Sequence, residues 1–378
     1  MSQEHVGKTR SSNIELLKIA AIFLIIISHF SLTFSYFQDI DHSTNSAELF
    51  FVALSRYFGS IGNNIFFICS AWFLLDSKRN NKKKLLAMLL NVWAVSILIL
   101  LAVMVLGHAD LGRAEIMASL LPTTFSNNWY VTCYILFCLI YPILNRMIDT
   151  LAERQHLSCI LFTSVLAFVL HPMFNEWGGG YFYIDQLGFW ILIFFILGYF
   201  KKYAPGVLDQ RKIYIMILLI SLIGYIGLPL AVNTLGKSIP FFEGRLQKFN
   251  SINNIFLLGI AVSTFHLFRQ IRIQSKLINK ISSCTLYIYI IHENILLRSH
   301  YRPMVFEHIP SAFWLHHILL YIVLLSIATL ILCTLLALLY QQTIQKAVAG
   351  MVDYSYPKLQ KRWNHLLDSV QRSVHSLQ

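Results

Sequence analysis

The chain alternates long apolar runs with short polar interruptions, and the runs recur from residue 14 to residue 340. Each run is about 20 residues, the length a helix needs to cross the hydrocarbon core of a bilayer. Bare backbone polar groups are not tolerated in that core, so the runs are expected to be helices. Ten spans are predicted, at 14–34, 52–75, 85–106, 128–148, 156–173, 184–203, 213–233, 250–268, 281–299 and 313–340. The second and ninth carry polar interruptions, GSIGNN at 59–64 and IHEN at 291–294. The expected fold class is an all-α integral membrane protein of about ten transmembrane helices. It divides into a membrane domain over 1–345 and a tail over 346–378. In the tail, Leu359, Trp363, Leu366, Leu367, Val370 and Val374 recur at helical spacing with basic residues between them. That is the pattern of an interfacial helix lying on membrane lipid; a disordered tail is the alternative.

Composition agrees with the pattern. Hydrophobic residues make up 56% of the chain and charged residues 13%, against about 25% charged in soluble domains. The net charge of +12 does not point to nucleic acid, because the basic residues are distributed by topology. Of the 30 Lys and Arg residues, 22 fall at the two ends and near 76–84, 145–155, 201–212 and 269–280. The opposite set of connections, with Arg298, holds 6. By the positive-inside rule both termini face the cytoplasm of a multi-pass plasma-membrane protein. The stretch KRNNKKK at 78–84 reads either as topological anchor or as a dock for a phosphorylated ligand, through Arg79, Lys82, Lys83 and Lys84. The first apolar run is too long for the core of a cleavable signal peptide and reads as a retained first span. The six cysteines fall within predicted spans and form no C-x-x-C pair, so neither a disulfide framework nor a metal cluster is expected.

Ionisable residues at membrane depth are costly and are candidates for function. Lys18 and His29 lie eleven residues apart in the first span. That is about three helical turns, so both project from one face, about 16 Å apart along the axis. Glu15, one turn before Lys18, is placed to pair with it. Lys18 reads either as a cation snorkelling to the inner interface or as an anchor for an anionic ligand. His29 reads either as a packed imidazole or as the reactive end of the same site. His292 and Glu293 form a second polar pair, in the ninth span. There Glu293 either orients an imidazole or is a structural partner. Ser70, Trp129, Tyr130, Tyr134 and Tyr289 either line a cavity or, for the aromatics, anchor span ends.

Four stretches together resemble the membrane-bound acyltransferase 3 family. NIELLKIAAIFLIIISHF at 13–30 is similar to its opening span, with a basic residue, ten intervening residues and a His. GSIGNNIFFICSAWFLLDSK at 59–78, NNWYVTCYILFCLIYPILN at 127–145 and SSCTLYIYIIHENILLR at 282–298 resemble later family segments, in order and at comparable spacing. Two positions depart from the family pattern: Lys18 stands where Arg is usual, and Ala71 follows Ser70 where Gly is typical. The resemblance implies transfer of an acyl group, commonly acetyl and sometimes succinyl, from cytoplasmic acyl-coenzyme A. The acceptor it implies is a hydroxyl on an extracytoplasmic glycan or lipid-linked saccharide. It also implies an essential role for His29 and a donor-linked role for Lys18. The donor is a substrate, and no permanently bound cofactor or metal is expected.

The chemistry stands beside the resemblance. A hydroxyl is a weak nucleophile at neutral pH, and His is the side chain whose ordinary pKa lies nearest to it. His29 can take the acceptor proton as general base or carry the acyl group itself. Lys18 would hold donor phosphates. H-E-x-x-H, G-x-S-x-G and Walker patterns are absent from the sequence. The rival reading is a secondary transporter or flippase, with 59–64 as a broken helix.

Overall fold

The structure is a computed structural model that describes residues 12–38, 47–77, 82–107, 110–125, 128–170, 185–240 and 254–375. Among the described residues the regular structure is helical throughout. In chain order the helices are α1 (Ser12–Phe34), α2 (Ala47–Ser55), α3 (Phe58–Leu74), α4 (Lys82–Leu106), α5 (Arg113–Leu120), α6 (Trp129–Thr150) and α7 (Glu153–Val165). They continue as α8 (Asp185–Tyr203), α9 (Arg211–Gly236), α10 (Ile255–Arg269), α11 (Lys276–Ser282), α12 (Thr285–His292), α13 (Ser311–Gln342) and α14 (Ile344–His375).

Five segments are long and apolar enough to cross a membrane: α1, α4, α6, α9 and residues 316–342 of α13. The other expected spans take different forms. The run at 52–75 is divided between α2 and α3, and the run at 281–299 between α11, α12 and a π-helical turn at Leu297–Tyr301. The run at 250–268 yields the 15-residue α10. The run at 156–173 yields α7 and a π-helical turn at Leu166–Leu170, the rest lying outside the described residues. Helix α8 is apolar on all sides because it is enclosed: Phe189, Trp190, Leu192, Ile193 and Phe194 are all buried. Trp190 stacks on Phe67 at 4.5 Å, and Phe137 meets Phe67 edge-on at 4.8 Å.

Helix α1 lies at the centre, packed on α3 and touching α10, α11, α12 and α13. Over its apolar window 56% of residues are buried, against 22% for α9 and for α13. The contact with α3 explains GSIGNN. A Cβ on Gly62 would sit 2.5 Å from the Ala21 carbonyl oxygen, and one on Gly59 would sit 2.8 Å from Ser28 Oγ. These positions therefore need glycine for close approach of two helices, the small-residue packing that replaces hydrophobic drive within a membrane. Helix α3 runs unbroken through 59–64, so the broken helix expected there by the transporter reading is absent.

The breaks that do occur are repaired by side chains, as exposed backbone at depth requires. Between α2 and α3, Tyr225 Oη donates to the Leu54 carbonyl and Ser28 Oγ to the Arg56 carbonyl. Asn13, in the first turn of α1, donates to the carbonyls of Phe268 and Ile271 at 2.8 Å, closing the end of α10. Asn145 donates to the Leu74 carbonyl at the end of α3, 3.0 Å away. Lys202 donates to the carbonyls of Ile148, Asp149 and Leu151 at the end of α6, a favourable place for a cation. One turn beyond His29 on α1, the buried Phe306 is ringed by Phe30, Phe34, Phe37 and Tyr321 at 5.6–6.4 Å.

Candidate functional site

Helix α12 ends at His292, and the chain turns there with Glu293 and Asn294 buried. Asn294 Oδ1 accepts from Leu296 N at 3.0 Å, and Arg302 donates to the His292 carbonyl. The turn therefore sits inside the bundle without bare backbone and directs His292 and Glu293 toward α1. His29 Nδ1 lies 2.8 Å from Glu293 Oε2 and 3.1 Å from His292 Nε2.

The tautomers follow from partners. His292 Nδ1 lies 2.7 Å from the Ile288 carbonyl, which can only accept, so this nitrogen carries the proton. In the neutral imidazole His292 Nε2 is then an acceptor, and so is the Glu293 carboxylate. Facing two acceptors, His29 Nδ1 must be the donor, which leaves the lone pair of neutral His29 on Nε2. This assigns a basic nitrogen to His29 from the arrangement around it. Glu293 is itself held on both oxygens, by Arg298 at 3.0 Å and by Arg302 at 2.8 Å. Both carboxylate oxygens are thus met by charge-assisted hydrogen bonds in a low-dielectric site. The donor atoms of His29, His292 and Glu293 lie within 4.8 Å of one another, close enough for a metal ion. Two guanidinium groups already on the carboxylate oppose a cation there.

Toward the start of α1 the bundle is hollow. A cavity of about 200 Å³ is lined by Lys18, Ile25, Asn63, Ser70, Tyr130 and Tyr289 among others. A second, of about 490 Å³, is lined by Lys18, Cys69, Ser70, Ser77, Lys84 and Tyr134 among others. Lys18, Ser70, Met88 and Tyr134 belong to both walls, so the two cavities adjoin. Lys18 Nζ is 3.5 Å from Glu15, which also accepts from Ser282 Oγ. The cavities stop at Ile25, one turn short of His29. Tyr289 bridges the gap: it lines the inner cavity, and its ring centre is 5.9 Å from that of His292.

The expected residues therefore fall into two groups. His29, His292 and Glu293 form one cluster; Lys18, Glu15, Ser70, Tyr130, Tyr134 and Tyr289 belong to the adjoining cavity or its border. Trp129 packs beside Tyr130, ring centres 5.8 Å apart, and lies outside both linings. Lys82 and Lys83 are exposed and line neither cavity; Lys83 pairs instead with Asp353 at 2.8 Å. Lys84 takes the place at the mouth. Arg79 lies outside the described residues. Sequence reasoning missed Arg298 and Arg302 as partners of Glu293, and Asn63, a residue of the smaller cavity's wall whose carboxamide oxygen is buried with no hydrogen-bond partner among the described residues.

Fold and site together define a helical membrane protein with an oriented, half-buried histidine one turn beyond an internal cavity. A family model described as an acyltransferase domain matches residues 11–338. The chain belongs to that family, acyltransferase 3, whose general activity is acyl transfer. No curated protein and no solved structure matches it.

Proposed function

We propose that the protein transfers an acyl group, acetyl or succinyl, from acyl-coenzyme A to a hydroxyl of an extracytoplasmic glycan, lipid-linked saccharide or other envelope acceptor. The observation that carries this reading is the oriented His29 in a chain of this family, next to a cavity whose far wall is basic. In this reading the protein spans the plasma membrane with both termini in the cytoplasm. The donor comes in beside Lys84 and Lys18, which hold its phosphates as point charges. Its pantetheine arm occupies the cavities, whose smaller member has Asn63 in its wall.

The reaction then runs just beyond the far end of the smaller cavity, past Tyr289, at His29. His29 Nε2 removes the acceptor hydroxyl proton as the oxygen attacks the thioester carbonyl. The C–O bond forms, the C–S bond breaks, and the thiolate leaves with the proton that His29 returns. Glu293 stabilises the imidazolium between those steps, which keeps the charge change inside a fixed polar environment. Base catalysis of this kind contributes about 10²–10⁴-fold.

The test is acyl-coenzyme A turnover by the purified chain in liposomes, with a simple sugar acceptor and acetyl- or succinyl-coenzyme A. His29→Ala is expected to lose turnover while retaining donor binding. Lys18→Ala is expected to weaken donor binding. Turnover unchanged in His29→Ala removes this site from the reaction.

A further inference from the structure

A single residue, Thr343, separates α14 from the end of α13, so α14 starts at the edge of whatever bilayer α13 crosses. Its first turns are covered. Val348 and Val352 are 5% and 3% exposed where α14 packs on α4, and Asp353 is pinned by Lys83 at 2.8 Å. The same face then continues uncovered. Leu359, Trp363, Leu366, Leu367, Val370 and Val374 follow the helical period of Val348 and Val352, yet each is 49–54% exposed. Pro357 falls between the two halves and has no N–H to give the Asp353 carbonyl, so the ladder is weakest where the covered part meets the bare one.

The other face of the bare half is basic. Lys358, Lys361, Arg362 and Arg372 accompany a single acid, Asp368, and Lys358 covers the Tyr354 ring at 3.5 Å. Two copies of such a helix would bring like charges together at the seam, which disfavours self-pairing. An anionic lipid surface suits both faces at once: apolar side chains enter the acyl boundary while the cations meet headgroups. It is also the surface within reach, since α14 leaves directly from a helix long and apolar enough to span the bilayer.

We propose that residues 354–375 are an anchor for anionic lipid, lying on the bilayer beside the first turn of α4. This inference is independent of the acyl-transfer reading. The experiment uses the full chain in nanodiscs of phosphatidylcholine alone or mixed with phosphatidylglycerol. Backbone hydrogen exchange is followed over 358–375, and a photocross-linking residue replaces Val370 (Val370→benzoylphenylalanine). Exchange is expected to slow by about tenfold or more in the anionic discs. The cross-linker is expected to yield lipid adducts. The double variant Lys361→Glu/Arg362→Glu is expected to abolish the difference between the two lipid mixtures, with exchange in α1 and α3 unchanged. Equal exchange of the unaltered chain in both mixtures overturns the proposal, as does a chain-to-chain adduct, which would assign the face to a second copy.

Discussion

Helix α1 carries Glu15, Lys18, Ser28, His29 and Ser31 into the middle of the bundle, and each finds a partner there. Helix α14 carries six apolar side chains along its outer half, and no other described helix covers them. The two helices place side chains against their preferred medium in opposite ways, and the remedies differ in kind. A buried polar group needs one atom at one distance. An apolar face needs only a surface, and any continuous apolar medium serves. Changes in α1 and its neighbours should therefore be abrupt and specific to position. Changes in the outer half of α14 should be graded and should leave the bundle alone.

The largest expected departure is Glu293→Gln. It keeps the shape but removes the charge that Arg298, Arg302 and His29 share, leaving two cations without it. Breaking a buried pair in this way costs about 3–5 kcal/mol, and turnover should fall by about 10²-fold as His29 loses its orientation. Thermal unfolding and liposome turnover measure the two effects, and a variant as stable and active as the parent would break the comparison. Gly62→Val comes next. Its side chain would meet the Ala21 carbonyl oxygen and Ile25, and overpacking is expected to cost about 1–3 kcal/mol or to prevent folding. Lys18→Arg and Lys18→Ala sharpen the donor half of the site: Arg should preserve donor affinity, and Ala should weaken it by about tenfold, the loss of one charge-assisted bond. The smallest effect is Leu366→Asp. In detergent it should shift bundle stability by no more than about 0.5 kcal/mol, while lowering protection of the tail on lipid.

The stripe of Lys18 and His29 was legible because both lie on one helix, where spacing alone fixes the shared face. The pairing of His29 with Glu293 spans 264 positions of sequence, so only the presence of a costly polar pair could be read, not its partner. Arg298 and Arg302 were counted as loop charges. Nothing local marks them as counterions, since their role depends on the turn after His292. GSIGNN looked like an interruption because glycine, serine and asparagine are polar by composition. In the fold they are small residues, and the reason is a carbonyl on another helix. The number of spans was the least legible feature. An apolar run of 15–20 residues reads alike whether it faces lipid or, as α8 does, other helices. The amphipathic pattern of the tail was legible from spacing alone, and its outer face is bare as that pattern implies.

The ring of aromatics around Phe306 carries a consequence for membrane voltage. In the proposed reading, a site that admits a polyanionic donor from one side and holds charged or polar groups at its inner end gives ions half of a conducting path. Phe30, Phe34 and Phe37 follow His29 along the chain and close around Phe306, an apolar cluster in which a bare ion would have no solvating partner. On the same reading, that cluster stands beyond His29 from the donor cavity, where it keeps the electrical gradient insulated.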